Sequence, residues 1–240
     1  MTGIIAQPLG QLLFALYSFI GNYGITLIVF TFIVRGFLFP LYADQIKHSS
    51  KLQDVQPKIK EIQAKYAGDK ETLNAKMMEL YKEEKVNPAR GCLPLVIQMP
   101  IIIGLFSLLR NPVHYIDNPS MLMAIHENFL WIPDLSQPDL WVLPILAGIT
   151  TYISFSQTQT NPQMAGNPTM VMMKYVFPIM IVWWGRSFPA GLSLYWFIGT
   201  FVQIFQTMAL NKWKENLKKK AANKETNKQA NQEANKDTKK

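Results

Sequence analysis

Arg35 is the residue whose chemistry most needs an explanation. It lies inside an apolar run, with Phe30, Phe32, Ile33, Val34, Phe37 and Leu38 around it. An arginine at the middle of a membrane span costs about 2.5–3.5 kcal/mol on insertion scales, and its guanidinium does not escape that cost by losing its proton. No Asp or Glu occurs within the apolar runs apart from their terminal turns, so no buried carboxylate can neutralise it. Two solutions remain. Arg35 either reaches along its helix toward the interface near Tyr42, or it faces a wet cavity between helices.

Other polar residues favour the cavity. Ser193, Trp196, Thr200, Gln203 and Thr207 step by three or four along a later apolar run, which puts them on one helical face. Thr150, Ser154 and Gln157 do the same in another. Thr31 stands one turn before Arg35, and Gln98 adds an amide to a further apolar run. Each could be an ordinary interhelical hydrogen bond. Gathered beside an arginine without an acidic partner, they read together as a water-holding, positively charged groove able to bind an anionic group.

Those residues need helices that meet lipid. The chain has 240 residues with a formal charge of +8, and the charge lies in blocks. No residue from Met1 to Val34 is charged; of 24 Lys and Arg, ten lie between Asp44 and Arg90 and ten more between Lys212 and Lys240. The apolar stretches between the blocks approach the roughly 20 residues a membrane span needs. They give an all-α integral membrane protein with transmembrane helices at 23–43, 91–109, 140–157, 170–187 and 190–210. Residues 1–22 carry Leu9, Leu12, Leu13, Leu16, Tyr17 and Ile20 on one face and read as an amphipathic helix in the interface.

Segment 44–90 reads as a helical hairpin. Val55, Ile59, Ile62 and Tyr66 form one apolar seam, Leu73, Met77 and Leu80 another, and Gly68 and Asp69 a turn between them. Residues 110–139 form an extracytoplasmic loop between spans, and 158–169 a short cytoplasmic one. The tail, 211–240, carries ten Lys against four acidic residues, and its composition predicts disorder and an affinity for polyanions such as ribosomal RNA or anionic lipid. Lys and Arg counts place the hairpin and the tail in the cytoplasm and the N-terminus outside. No leader with a basic start is evident.

An intramembrane enzyme finds little support. His48, His114 and His126 lie outside the spans without metal-ligand spacing, Ser154 and Ser193 have no evident base, and no phosphate-cradling Gly-rich loop occurs. No metal or cofactor is expected. Cys92, the single cysteine, is expected to pack as a small apolar residue. A small-solute transporter or channel is the alternative that shares the wet cavity, but no inverted repeat is visible.

Arg35 followed by Pro40, the run from Asn87 through Pro88, Ala89, Arg90, Gly91, Cys92 and Leu93 to Pro94 with Gln98 and Pro100 after it, and the closing Gly191, Leu192, Ser193, Leu194, Tyr195 and Trp196 resemble the YidC/Oxa membrane protein insertases. The resemblance runs from about Tyr23 to Trp213 and is to the shorter, Gram-positive type. It implies a five-helix core enclosing a hydrophilic groove that opens to the cytoplasm and to lipid and is closed outside. The family's groove arginine falls on Arg35, a threonine on Thr31 and an aromatic on Trp196; at Ser154 many relatives have a longer polar side chain. Gram-positive members usually begin as lipoproteins, and no residue here matches the lipid-carrying cysteine.

The implied activity is insertion of nascent membrane proteins into the bacterial plasma membrane without nucleotide hydrolysis. The implied partners are those nascent chains, the lipid bilayer, a ribosome through the tail, targeting machinery through the hairpin, and a Sec translocon.

Overall fold

The computed structural model describes residues 3–87, 93–110, 114–115, 119–158 and 171–237. Eight α-helices lie among them: α1 (Gly3–Ile20), α2 (Tyr23–Lys65), α3 (Lys70–Glu83), α4 (Leu93–Arg110), α5 (Pro119–Ala124), α6 (Val142–Thr158), α7 (Phe177–Gly185) and α8 (Ala190–Asp237). A π-helical turn, Met172–Val176, leads directly into α7. An isolated antiparallel bridge between Phe129 and Ile132 is the extended pairing among the described residues. Cys92 and most of the 158–169 loop fall outside them, as does the run from Pro88 to Cys92.

The core forms where α1, α2, α4 and α8 bring apolar faces together. Leu13, Leu27, Phe30, Leu105, Leu108 and Leu143 are buried in it, and Leu9, Leu12, Leu16 and Tyr17 of α1 pack against it. The apolar face of α1 is therefore covered largely by neighbouring helices. Gly104 permits that approach, since a Cβ there would stand 3.0 Å from Ile5 Cγ2. α1 also starts well before its apolar run, passing through Pro8, and ends at Gly21, whose φ of 69° suits a residue without a side chain.

The first apolar run and the first arm of the hairpin are one helix. α2 continues for 43 residues through Pro40 and Pro57, about 65 Å at the usual rise. That is roughly twice the hydrocarbon thickness of a bilayer, so a helix that crosses there must project well beyond it. Its far end folds back through Asp69, which accepts from the backbone N–H groups of Glu71 and Thr72 at 3.1 Å each and starts α3. Val55, Ile59 and Ile62 then pack against Met77, Leu80, Tyr81 and Val86. Tyr66 and Leu73, assigned to the seams from their spacing, are not part of that cluster.

The tail differs from its expected disorder: α8 runs on helically to Asp237. The physical reason is propensity. Ala, Lys, Glu and Gln are all good helix formers, and extending an existing helix avoids the cost of nucleating a new one.

Large apolar side chains face outward along the bundle. Phe37 is 83% exposed, Ile179 69% and Phe205 55%, with Ile149, Trp183 and Phe32 also exposed. A continuous apolar exterior of this kind is unusual for a protein in water and suits lipid. By length and composition, Tyr23–His48 is the helix among the described residues able to cross a membrane unaided; Gln98–Arg110, Val142–Gln157 and Met172–Gly185 are shorter apolar stretches.

Candidate functional site

The polar side chains converge on α8. α2 and α6 each pack along it, and α4 touches it as well, while α2 and α6 make no extensive contact with each other among the described residues. The face carrying Trp196, Thr200, Gln203 and Thr207 accordingly lies between those two helices.

Arg35 turns toward this face. Its Nη1 donates to Gln203 Oε1 at 3.3 Å, and its Nη2 would lie 2.7 Å from a Cβ at Gly199. The guanidinium is therefore laid against the α8 backbone, a position open only because residue 199 has no side chain. Its Nε is buried with no hydrogen-bond partner among the described residues. Two turns beyond Arg35 on α2 and one beyond Gln203 on α8, the Tyr42 and Thr207 hydroxyls bond at 2.6 Å. Further on, Lys214 Nζ donates to the Ile46 carbonyl at 2.9 Å and to Ser50 Oγ at 2.7 Å. Arg35, Tyr42 and the Ile46–Ser50 turn thus form a polar ladder between α2 and α8.

The other candidates divide between two further contacts. Gln98 Nε2 donates to the buried Tyr195 hydroxyl at 3.2 Å, joining α4 to α8. On the α6 side, the Thr150 and Thr200 hydroxyls bond at 2.7 Å, and Trp196 Nε1 donates to Thr151 Oγ1 at 3.0 Å. Ser154 is buried on the same helix, and Gln157 Oε1 is buried without a partner among the described residues. Thr31 is fully buried, and its hydroxyl donates to the Leu27 carbonyl of its own helix at 2.6 Å. The structure joins Arg35 to Gln203, Gln98 to Tyr195, and Thr150 to Thr200; it shows no bond from Thr31, Ser154 or Gln157 to the arginine.

Tyr195, Thr151, Tyr42 and Lys214 are the participants that spacing missed. Thr151 and Tyr195 each adjoin a residue that was singled out, and Tyr42 closes the apolar run holding Arg35. Only Lys214, in a basic tail, had no distinguishing signal.

The opposite end of the bundle is closed by residues 125–139, the loop between α5 and α6. Glu127 accepts from the backbone N–H of Tyr23 at 2.7 Å, and its other oxygen accepts from the Tyr17 hydroxyl. Asp139 accepts from the first turn of α6, including Leu143 N–H at 2.9 Å. The Leu135 and Gln137 carbonyls accept the first two N–H groups of α8, at 2.9 and 2.8 Å. One loop therefore caps three helices, and the Phe129 ring lies directly on Gly24. Within it, partial burial opposes ionisation of Asp134, but hydrogen bonds from His126 and Ser136 outweigh it and hold the carboxyl below its ordinary range. Both Asp134 and Ser136 meet His126 through Nδ1, at 3.0 and 2.9 Å. A proton relay needs separate nitrogens for base and orienting group, so this trio does not have the geometry of a hydrolase triad.

Comparison with known proteins bears on this arrangement. A family model described as 60Kd inner membrane protein matches residues 15–232. The membrane protein insertase YidC of Citrifermentans bemidjiense is 38% identical over 211 residues, covering 88% of this chain and 37% of that protein. Membrane protein insertase YidC 2 of Listeria innocua is 38% identical over 224 residues, covering 85% of this chain and 74% of that one. A crystal structure of an active YidC insertase with its first transmembrane domain resolved superposes with a TM-score of 0.64 at 30% identity, covering 85% of this chain and 45% of that one. The chain thus spans well under half the length of several relatives and about three quarters of the Listeria protein.

Proposed function

Since this chain belongs to the 60Kd inner membrane protein family, that of the YidC/Oxa insertases, we propose that it inserts nascent membrane proteins into the bacterial inner membrane through the polar face of α8. The observation that carries this reading is Arg35 of α2, an arginine inside an apolar run, laid against Gly199 and bonded to Gln203 on the polar face of α8.

A groove between α2 and α6 shortens the apolar distance that a polar segment must cross. Arg35 supplies an attractive site for acidic residues of that segment, and the surrounding low-dielectric walls magnify the attraction. Arg35 Nε and Gln157 Oε1, buried without partners among the described residues, are groups that water in such a groove would satisfy. The substrate's apolar segment then leaves sideways into lipid, and burying it there supplies the net free energy. No nucleotide enters the scheme.

In this reading, residues 23–43, 91–109, 140–157, 170–187 and 190–210 cross the bilayer. The hairpin and α8 extension stand in the cytoplasm, where targeting machinery, a ribosome and a Sec translocon are the candidate partners. The capping loop lies outside, and its seal over the helix ends keeps the groove from becoming an open pore. Trp141 and Trp183 beside Arg186 suit the outer interface.

The test is insertion of a single-span reporter into liposomes containing this chain alone. Wild-type chain inserts reporters with acidic and neutral translocated tails. Arg35→Ala loses most activity toward the acidic ones, and Arg35→Lys retains more. Equal insertion of acidic and neutral tails by Arg35→Ala would remove the arginine from the mechanism.

A further inference from the structure

Lys174 lies at the opposite side of α6 from the polar face described above. It sits in the π-helical turn Met172–Val176, where the Phe177 N–H reaches back to the Met172 carbonyl. Such turns are rare and concentrate at functional positions. This one sets Lys174 Nζ 5.8 Å from the Tyr152 ring centroid and 5.3 Å from that of Tyr175, with the two rings 5.9 Å apart. Tyr152 is two residues from both Thr150 and Ser154, which places it roughly opposite them on α6. Both rings are exposed, 40% and 49%, amid exposed Ile149, Ile153, Met172 and Ile179. The cluster thus looks outward, toward lipid tails.

No carboxylate pairs with Lys174 among the described residues, and residues 158–170 include no Asp or Glu. Arg186, stacked 4.2 Å over Trp141, marks the far end of α7. Lys174 precedes it by 12 residues, about 18 Å along the helix, against a hydrocarbon core of about 30 Å. A lysine four residues into a lipid-facing helix reaches the headgroup level, where the ring faces complete only part of its coordination and a lipid phosphate is the available anion.

We infer that Lys174, Tyr152 and Tyr175 form a binding site for the phosphate headgroup of an anionic lipid of the cytoplasmic leaflet. The lipid's phosphate meets the ammonium, and its acyl chains run along Ile149, Ile153 and Ile179. The inference needs the chain in a bilayer, as its family requires, and does not depend on insertase activity.

The experiment uses the full chain reconstituted in phosphatidylcholine vesicles containing a phosphatidylglycerol probe with a photoreactive headgroup. A matched phosphatidylcholine probe serves for comparison, and cross-links are mapped by peptide mass spectrometry. The phosphatidylglycerol probe should label peptides spanning 150–177 more strongly than the phosphatidylcholine probe. Lys174→Gln should lower that labelling roughly fivefold, Lys174→Arg should preserve it, and labelling of the basic tail should stay unchanged in all three. Tail labelling and helical content report whether Lys174→Gln folds, and the wild-type comparison of probes stands without it. Equal labelling by both probes in wild type overturns the site, as does undiminished labelling in a folded Lys174→Gln. Displacement of the probe by an acidic substrate segment would reassign the site to substrate and overturn the lipid proposal.

Discussion

The Arg35 guanidinium occupies the space where a side chain at position 199 would begin, with Nη2 2.7 Å and Nε 3.0 Å from an ideal Cβ on Gly199. The atoms in the way are the far end of a flexible side chain, so Gly199→Ala moves the arginine rather than the helices. Alanine also adds about 1 kcal/mol of helix propensity. The expected outcome is a thermal midpoint equal to or above wild type, with insertion of acidic-tailed reporters lowered roughly fivefold, equivalent to about 1 kcal/mol of a charge-assisted contact. Unchanged acidic-tail insertion would show that the guanidinium's seat on α8 is irrelevant.

Glu127 joins α1 to the start of α2, and its effect can be read on a tyrosine outside the spans. The hydrogen bond to Glu127, then burial and the carboxylate's charge, push the Tyr17 hydroxyl up to about 12. The raised value means this contact stabilises the fold fully below pH 10 and is lost as pH rises through about 12. Glu127→Gln should return Tyr17 toward 10, visible as one tyrosine ionising earlier in an ultraviolet titration against a Tyr17→Phe control. Removing the carboxylate should also cost about 1.5–3 kcal/mol in detergent unfolding. No shift in the titration would mean that the pair does not persist in solution.

Helical character was legible throughout because apolar residues recur at helical spacing, and Arg35 stood out because a cation in an apolar run has so few acceptable environments. Continuity was harder to read. Pro40 and Pro57 suggest breaks, yet each removes only one donor from a long ladder. Polarity likewise hid the helical tail, whose composition satisfies helix propensity without offering a core. At the site, spacing placed Thr200 and Gln203 on one face, but tertiary packing decides that one meets α6 and the other α2. Glu127 left no trace in the sequence, since one acid in a polar loop contrasts with nothing around it.

Gly24 tests the outer closure. A Cβ there would stand 2.1 Å from Phe129 Cδ2 and 2.8 Å from Phe129 Cβ, near the loop backbone. Unlike the Arg35 case, the obstacle is a ring tethered by the Phe129–Ile132 bridge, with N···O distances of 2.8 and 2.9 Å. Gly24→Ala should therefore lift the loop, costing about 1–3 kcal/mol of overpacking. Hydrogen exchange over residues 125–137 should accelerate, and vesicles should leak small ions. Exchange equal to wild type would show that the loop accommodates the methyl without opening.

Hydroxyls at an interhelical contact serve either as adhesive or as groove lining, and α8 carries a case that separates the two. Thr150 and Thr200 bond to each other at 2.7 Å, one donating to the other, while carbonyls of their own helices, Leu146 for Thr150 and Trp196 for Thr200, each at 2.9 Å, are alternative acceptors for the two protons. Removing one hydroxyl leaves the other satisfied. Thr150→Val, Thr200→Val and the double variant should therefore show a coupling near 0.6 kcal/mol, the usual scale for such bonds in membranes, with insertion changed by less than about twofold. Gln203→Leu is the contrasting variant: it removes the acceptor of Arg35 Nη1 and should lower acidic-tail insertion by more than the double variant does, while neutral tails are spared. If the threonine pair proves the more damaging to insertion at equal stability, the substrate path runs along α6 rather than beside Arg35.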